Sequence, residues 1–159
     1  MNNSSKNIKQ RIVHLDLKGA PPKIHYLVKI IPLLRQWGAT GLLVEYEDMF
    51  PFKNELNCLA RKQAYTSDDI KTLQDVANYE KMKFIPLIQT FGHLEFVLKH
   101  DRFSHLRELP ENPMALCPSN EDSVPLIQAI IDQVMSEHDD LKYLHIGGDE
   151  VGFPCSATQ

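Results

Sequence analysis

The chain has 159 residues, of which 43% are hydrophobic and 24% are charged, and its length suits a single globular domain with a sizeable core. The 17 Lys and Arg residues against 21 Asp and Glu residues give a formal net charge of −4. This mildly acidic balance argues against nucleic acid or a membrane surface as the main partner, and no apolar stretch reaches the ~18 residues of a transmembrane helix.

The first ten residues are polar and contain no apolar core or small-residue cleavage site of a secretory signal. We therefore expect residues 1–10 to be a disordered segment and the protein to be cytoplasmic, with the nucleus as a second location. The three cysteines are Cys58, Cys117 and Cys155, and none forms a metal-type pair such as C-x-x-C. They are predicted to be free thiols in a reducing compartment.

Four short, nearly continuous apolar runs predict buried strands, in residues 12–17, 41–46, 84–89 and 143–146. Such runs are typical of a parallel sheet that is covered on both faces. Pro86 counts against a regular strand in the third run, because proline cannot donate a ladder hydrogen bond.

Three stretches repeat apolar residues at helical spacing, in residues 24–34, 70–77 and 127–134. Pro32 is expected to kink the first helix or shift its start, and Gly38 is expected to end it. Trp37, at that end, is expected to pack. Thr66 or Ser67 is the predicted cap of the second helix.

Strands and helices alternate along the chain, which predicts a parallel α/β sheet, either open or closed as a barrel. The connections after the second and third strands are long, in residues 47–65 and 90–120. Long loops at strand carboxyl ends are where α/β folds place their sites. Residues 18–22 hold one glycine and two prolines, so a glycine-rich phosphate loop after the first strand is disfavoured.

The segment His-Ile-Gly-Gly-Asp-Glu-Val occupies residues 145–151, at the end of the fourth predicted strand. Its two glycines permit a sharp turn or a close approach to a ligand. Asp149 and Glu150 stand side by side, and repulsion between neighbouring carboxylates favours one acid that keeps its proton and one that does not. The alternative is a helix amino terminus, where acidic residues are common.

This segment resembles the catalytic signature of family 20 glycoside hydrolases, the β-N-acetylhexosaminidases. Residues 14–19, 43–51 and 86–95 resemble, in the same order, segments of the hexosaminidase D type. The resemblance spans about residues 11–152 and implies a (β/α)8 barrel. Because such a barrel typically needs ~250 residues, the chain is expected to supply about the first four βα units, followed by an irregular tail at residues 153–159.

The resemblance also implies a retaining, substrate-assisted hydrolysis of terminal N-acetylhexosamine from glycoconjugates. Glu150 would be the general acid and later the base, and Asp149 would hold the 2-acetamido N–H. The nucleophile would be the acetamido oxygen of the substrate, an exception to the usual two-carboxylate scheme. The resemblance therefore implies neither a cofactor nor a metal.

Further candidates for substrate binding follow from the same resemblance and from position. His93 follows Gly92 as in the family's Gly-His pair, although a locally packed loop histidine is the alternative. Asp16 and His145 lie within predicted strands and are expected to form an inward-facing polar pair under the site, with buried partners.

Three carboxylates follow or end the second strand, namely Glu45, Glu47 and Asp48. They are candidates for binding sugar hydroxyls. The alternative is that they form a solvated rim, and this alternative has more weight for Glu45 and Glu47 than for Asp48. Lys18 lies where many members of the family carry an arginine. Its ammonium is a point charge and lacks the planar, forked donor arrangement of a guanidinium.

A truncated, catalytically inactive isoform that acts only by binding is the main alternative. A metal-dependent hydrolase is a weaker one, built from His14, Asp16, His93, His145 and Asp149, although these residues lack a compact ligand spacing. In half a barrel the first and fourth strands would keep open edges. We therefore expect the isolated chain to be marginally folded or homo-oligomeric, with Val13, Leu15 and Leu144 facing inward without partners.

Overall fold

The computed structural model describes residues 8–149. Its strands are β1 (Ile12–Asp16), β2 (Gly41–Glu45), β3 (Lys83–Leu87), β4 (Arg107–Leu109) and β5 (Asn112–Leu116). Its α-helices are α1 (Ile24–Gln36), α2 (Ser67–Tyr79), α3 (Glu95–Leu98) and α4 (Ser123–Ser136). Three 3-10 helices span Glu47–Met49, Asn54–Leu59 and Asp101–Leu106. No helix in the described part of the chain has both the length and the apolar character needed to cross a bilayer.

A parallel sheet in the order β1-β2-β3 forms the centre of the fold. Its register aligns Asp16, Glu45 and Leu87 in one row across the three strands. The predicted parallel α/β arrangement is therefore confirmed, and Pro86 lies inside β3 despite its missing N–H. The carboxyl ends of all three strands consequently meet at the same edge of the sheet.

The fourth predicted strand, residues 143–146, is reduced to a single parallel bridge between Leu87 and His145. Its two hydrogen bonds run from His145 N to Pro86 O at 3.0 Å and from Ile88 N to His145 O at 2.8 Å. In a parallel ladder, the next donor upstream on β3 would be the N–H of residue 86. Because that residue is proline, the bond to Tyr143 O cannot form, and the ladder ends at one bridge.

Helices pack against one face of the sheet. Leu42 and Val44 alternate along β2 and are buried in a core that includes Leu27 of α1, Leu73 of α2 and Ile130 of α4. An apolar stripe on each helix supplies this core, as the periodicity of the sequence predicts.

The opposite face of β1 carries exposed side chains, His14 and Asp16. They alternate with Val13 and Leu15, which pack against the helical core together with Leu144. The prediction that Val13, Leu15 and Leu144 face inward is therefore wrong. These side chains point toward the helices, and the alternation along β1 puts His14 and Asp16 on the opposite face of the sheet. Within residues 8–149, helices cover one face of the sheet rather than both.

The ends of α1 and α2 match the sequence in part. α1 runs unbroken through Pro32, and Gly38 follows it with a φ of +99°, as a helix stop requires. Trp37 is 78% exposed, so the prediction that it packs is wrong. Thr66 caps α2, because its Oγ1 accepts from Asp69 N at 3.1 Å while Asp69 Oδ2 accepts from Thr66 N at 2.8 Å.

The long connection after β3 is ordered rather than irregular. It contains α3, a 3-10 helix and the antiparallel pair β4-β5. Two backbone hydrogen bonds fix the pair beside the end of β3, from Leu94 N to Met114 O at 3.0 Å and from Leu116 N to Phe91 O at 2.8 Å. This segment therefore stands next to the carboxyl edge of the sheet.

A buried histidine joins α4 to the sheet. His138 is 6% exposed, and its Nδ1 and Nε2 lie 2.6 Å from Val134 O and 3.0 Å from Tyr46 Oη. Burial lowers the pKa of His138, against the opposing effects of the Val134 carbonyl and of the nearby carboxylates of Glu137 and Asp139. A neutral ring satisfies both contacts, since Nδ1–H donates to Val134 and Nε2 accepts from Tyr46.

We predict that the free energy of unfolding decreases as the pH falls below the ordinary histidine pKa of about 6.5. The unfolded chain then takes up a proton that the buried ring resists, at a slope of at most about 1.4 kcal/mol per pH unit. Urea unfolding at several pH values should show a shallower decrease for His138→Gln than for the wild type. The exposed His25→Gln variant is the control, and an unchanged slope in His138→Gln would contradict the prediction.

Candidate functional site

Polar side chains gather at the carboxyl edge of the parallel sheet. Glu45 ends β2, Gln89 lies two residues beyond β3, and Asp149 follows the segment that bridges to β3 at His145. Because side chains alternate along a strand, Gln89 lies on the same side of its strand as Leu87, the register partner of Glu45. The register therefore brings these polar groups together.

A row of hydrogen bonds crosses the sheet at this edge. His14 Nε2 lies 2.9 Å from Glu45 Oε2, and Gln89 Nε2 donates to Glu45 Oε1 at 2.8 Å and to Asp149 Oδ2 at 2.6 Å. Glu45 and Gln89 are 6% and 4% exposed. Neither Gln89 nor the place of His14 in this row is predicted from the sequence. The available signal was the period of two, which places residue 89 beside residue 45 once the strands are aligned.

Gly147 allows the chain to pass close to Gln89. Its φ is +72°, and a Cβ at this position would lie 2.3 Å from Gln89 Oε1. Two hydrogen bonds secure the turn, from Gly147 N to His145 Nδ1 at 3.1 Å and from Thr90 Oγ1 to Ile146 O at 2.8 Å. Gly148 has no such neighbour within 4 Å. Of the two glycines in the motif, Gly147 is the one that the turn toward Asp149 requires.

Asp16 and His145 do not form the buried polar pair that was predicted. Both are exposed, and β2 and β3 lie between Asp16, at the end of β1, and His145, which bridges to β3. Asp16 Oδ1 accepts instead from Lys18 N at 2.9 Å. Side chains alternate between the two faces along β1, and residue 145 lies at the edge of the sheet. Both side chains are therefore left on the face that the helices do not cover.

Glu45 and Glu47 are buried, so the solvated-rim alternative is wrong for both. Lys18 Nζ lies 3.4 Å from Glu47 Oε1 and 3.4 Å from Glu95 Oε2, where it partly compensates buried negative charge. Burial raises the pKa of Glu47 to about 7, although Lys18 acts in the opposite direction. Burial disfavours the charged form of Lys18, but the carboxylates of Glu47 and Glu95 outweigh it and raise the pKa of Lys18.

Asp48 and His93 lie in the loops beyond the strand ends. Asp48 Oδ2 is 3.5 Å from Lys99 Nζ, and its side chain is one-fifth exposed. His93 adopts a φ of +52°, and its Nε2 is buried without a hydrogen-bond partner among the described residues. A buried polar atom that is left unpaired is costly, and such atoms are often found at functional sites.

Glu150 and Cys155 lie outside the described residues. Among the described residues, Cys58 and Cys117 form no disulfide. Within residues 8–149, no three His, Cys, Asp or Glu side chains are grouped as a metal ion would need.

Comparison with known families supports one assignment. The model described as "Glycosyl hydrolase family 20, catalytic domain" matches residues 25–159. Hexosaminidase D from Bos taurus is 52% identical over 141 residues, which cover 89% of this chain and 41% of that protein. Hexosaminidase D from Homo sapiens is 52% identical over 147 residues, covering 92% of this chain and 30% of that protein. The chain thus spans less than half the length of these relatives.

Solved structures share the fold at low sequence identity. The Flavobacterium johnsoniae chitobiase superposes with a TM-score of 0.74 at 18% identity, covering 89% of this chain and 24% of that one. The β-N-acetylhexosaminidase from Bacteroides fragilis gives a TM-score of 0.71 at 18% identity, covering 92% and 33%. At these identities the likeness establishes the fold alone.

We predict that Gly147→Ala opens the bridge between β3 and the segment before Asp149. The left-handed backbone costs alanine about 1–2 kcal/mol, and its methyl group would collide with Gln89. Hydrogen exchange of the Ile88 amide, which donates to His145 O, should therefore accelerate roughly 5- to 30-fold. Gly148→Ala, the matched control, should leave this exchange unchanged or slow it. Equal exchange in Gly147→Ala and the wild type would refute the assigned turn.

Proposed function

The chain belongs to glycosyl hydrolase family 20, and we propose that it is the partial catalytic domain of a β-N-acetylhexosaminidase. The proposed reaction releases terminal N-acetyl-glucosamine or N-acetyl-galactosamine from glycoconjugates, with retention at the anomeric carbon. One observation carries the proposal: Gln89 holds the Asp149 carboxylate at the edge where parallel strands end, one residue before Glu150. The relatives named Hexosaminidase D support the same assignment.

In this proposal the acetamido oxygen of the substrate attacks its own anomeric carbon, and Glu150 protonates the departing glycosidic oxygen. Asp149 accepts the acetamido N–H, which orients the group for attack and stabilises the positive charge that develops on the cyclised intermediate. Glu150 then takes a proton from water, which opens the intermediate from the same face as the departed group and gives retention. This chemistry needs no metal, cofactor or protein nucleophile.

We propose substrate-binding roles for Asp16, Asp48, His93 and His145, which the chain places at or near the carboxyl edge of the sheet. The unpaired Nε2 of His93 supports a role in binding a polar group. Lys18 replaces the arginine common in the family, and its contacts with Glu47 and Glu95 fix its ammonium beside β1. A lysine there offers a point charge rather than a bidentate fork to sugar hydroxyls.

We also propose that residues 11–152 form the first four βα units of a (β/α)8 barrel. Two observations support this proposal: the strand order β1-β2-β3 followed by the bridge at His145, and the helices on one face of the sheet. The open edge of β1 would favour self-association, through which a second copy completes the sheet. Residence in the cytoplasm or nucleus belongs to the same proposal.

The test is hydrolysis of chromogenic N-acetyl-glucosaminide and N-acetyl-galactosaminide by the purified chain, with its mass measured by light scattering. We expect turnover by an oligomer, and a loss of about 100- to 10,000-fold in Glu150→Gln, because a general acid supplies that factor. The matched control is Glu80→Gln, since Glu80 lies directly after α2. This variant should retain activity. Turnover that survives in Glu150→Gln would refute the assigned acid. A folded but inactive wild type would favour the binding-only alternative, and a monomer would refute the proposed self-association.

A further inference from the structure

Gln89 is the most enclosed polar residue of the row at the sheet edge. It is 4% exposed, and it lines a cavity together with Leu87, Ile88 and Phe96. Its amide nitrogen contacts Glu45 Oε1 at 2.8 Å and Asp149 Oδ2 at 2.6 Å. In such surroundings a hydrogen bond is electrostatically stronger than in water, and an unpaired polar group is correspondingly costly.

The chemistry of the two partners fixes the orientation of the Gln89 amide. A carboxylate only accepts hydrogen bonds, and a primary amide nitrogen carries two N–H donors. The reversed amide would direct Oε1 at two carboxylate oxygens and leave both N–H groups without these acceptors. The observed orientation therefore uses one donor for Glu45 and the other for Asp149, and it places N–H groups between two negative groups.

Glu45 is itself restrained from the opposite side. Its Oε2 meets His14 Nε2 at 2.9 Å, while its Oε1 accepts from Gln89. The position of the Gln89 amide is thus set by β1 and β2 through His14 and Glu45, and it does not depend on Asp149 alone. Asp149, by contrast, is exposed and follows two glycines, so its backbone gives it less restraint.

We infer that Gln89 is a positioning residue: it holds Asp149 through Oδ2 so that Oδ1 faces the acetamido N–H of the substrate. This inference rests on the proposed function and assigns separate tasks to the two oxygens of Asp149. The fixed amide supplies orientation before substrate arrives, which lowers the cost of reaching the transition state. Glutamine suits this position because glutamate would replace the two donors with a third negative charge, and leucine or methionine would supply no donor.

The kinetic test compares Gln89→Met, which keeps the length of the side chain, with Gln89→Glu, which keeps its shape. Misplacement of Asp149 should lower kcat about a hundredfold in both variants, with a smaller change in KM, because the contact stabilises the charged intermediate more than the bound substrate. Gln128→Glu is the matched control, since Gln128 donates to Asp132 Oδ1 at 2.7 Å on the exposed side of α4. Wild-type kinetics in Gln89→Glu would overturn the inference.

A double-mutant cycle separates positioning from general stability. If Gln89 acts through Asp149, Gln89→Met should lower kcat by less than about threefold once Asp149→Asn is already present. Equal losses in both backgrounds would assign Gln89 a merely structural role and overturn the inference. Thermal unfolding of each variant, compared with the wild type, identifies any that fails to fold, and Gln89→Glu then serves in place of Gln89→Met.

A second readout does not depend on activity. The two side-chain N–H protons of Gln89 should give separate NMR signals, one moved by Glu45→Gln and the other by Asp149→Asn. A wild type that hydrolyses neither glycoside would refute the proposed function, while these shifts would still report whether Gln89 bridges both carboxylates. Signals that respond to neither substitution would overturn the positioning role, whatever the outcome of the activity assay.

Discussion

Two hydrogen bonds from one amide nitrogen hold together carboxylates that would otherwise repel each other. Gln89 lies between Glu45 and Asp149, with donor–acceptor distances of 2.8 Å and 2.6 Å, and the site takes its shape from that bridge. Both bonds are charge-assisted, and the one to Glu45 is buried, a condition under which such bonds are strongest. It links the centre of the parallel sheet to a segment that has only one backbone bridge of its own, at His145.

The backbone prepares this contact in three ways. The register aligns Glu45 with Leu87, so that residues 45 and 89 share one side of the sheet. Pro86 cannot donate to Tyr143 O, so the 143–149 segment is joined to β3 by the bridge at His145, and the chain turns after that bridge. Gly147 then makes that turn with a positive φ, close against Gln89. Each device is local, and together they bring Asp149 to the strand ends.

Periodicity and turn chemistry predict much of this fold. The first three strands, the helices α1, α2 and α4 and the cap at Thr66 follow from apolar spacing and from known capping residues. The hairpin β4-β5 does not, because its strands are short and its pairing depends on contacts with the end of β3. The burial of Glu45 and the position of Gln89 do not follow from the sequence until the strands are aligned. The burial of Glu45 and the position of Gln89 both depend on which face of each strand the helices cover. That face is determined by the strand register and by the packing of the helices.

In the proposed site, the sheet edge presents one oxygen of Asp149 to an N-acetyl group while Gln89 holds the other. A crystal structure of the chain with N-acetylglucosamine bound would test this arrangement. We predict that the acetamido nitrogen lies within about 3 Å of Asp149 Oδ1, with Gln89 Nε2 still within about 3 Å of Oδ2. A sugar bound away from this edge, or an Asp149 carboxylate turned away from Gln89 in the complex, would contradict it.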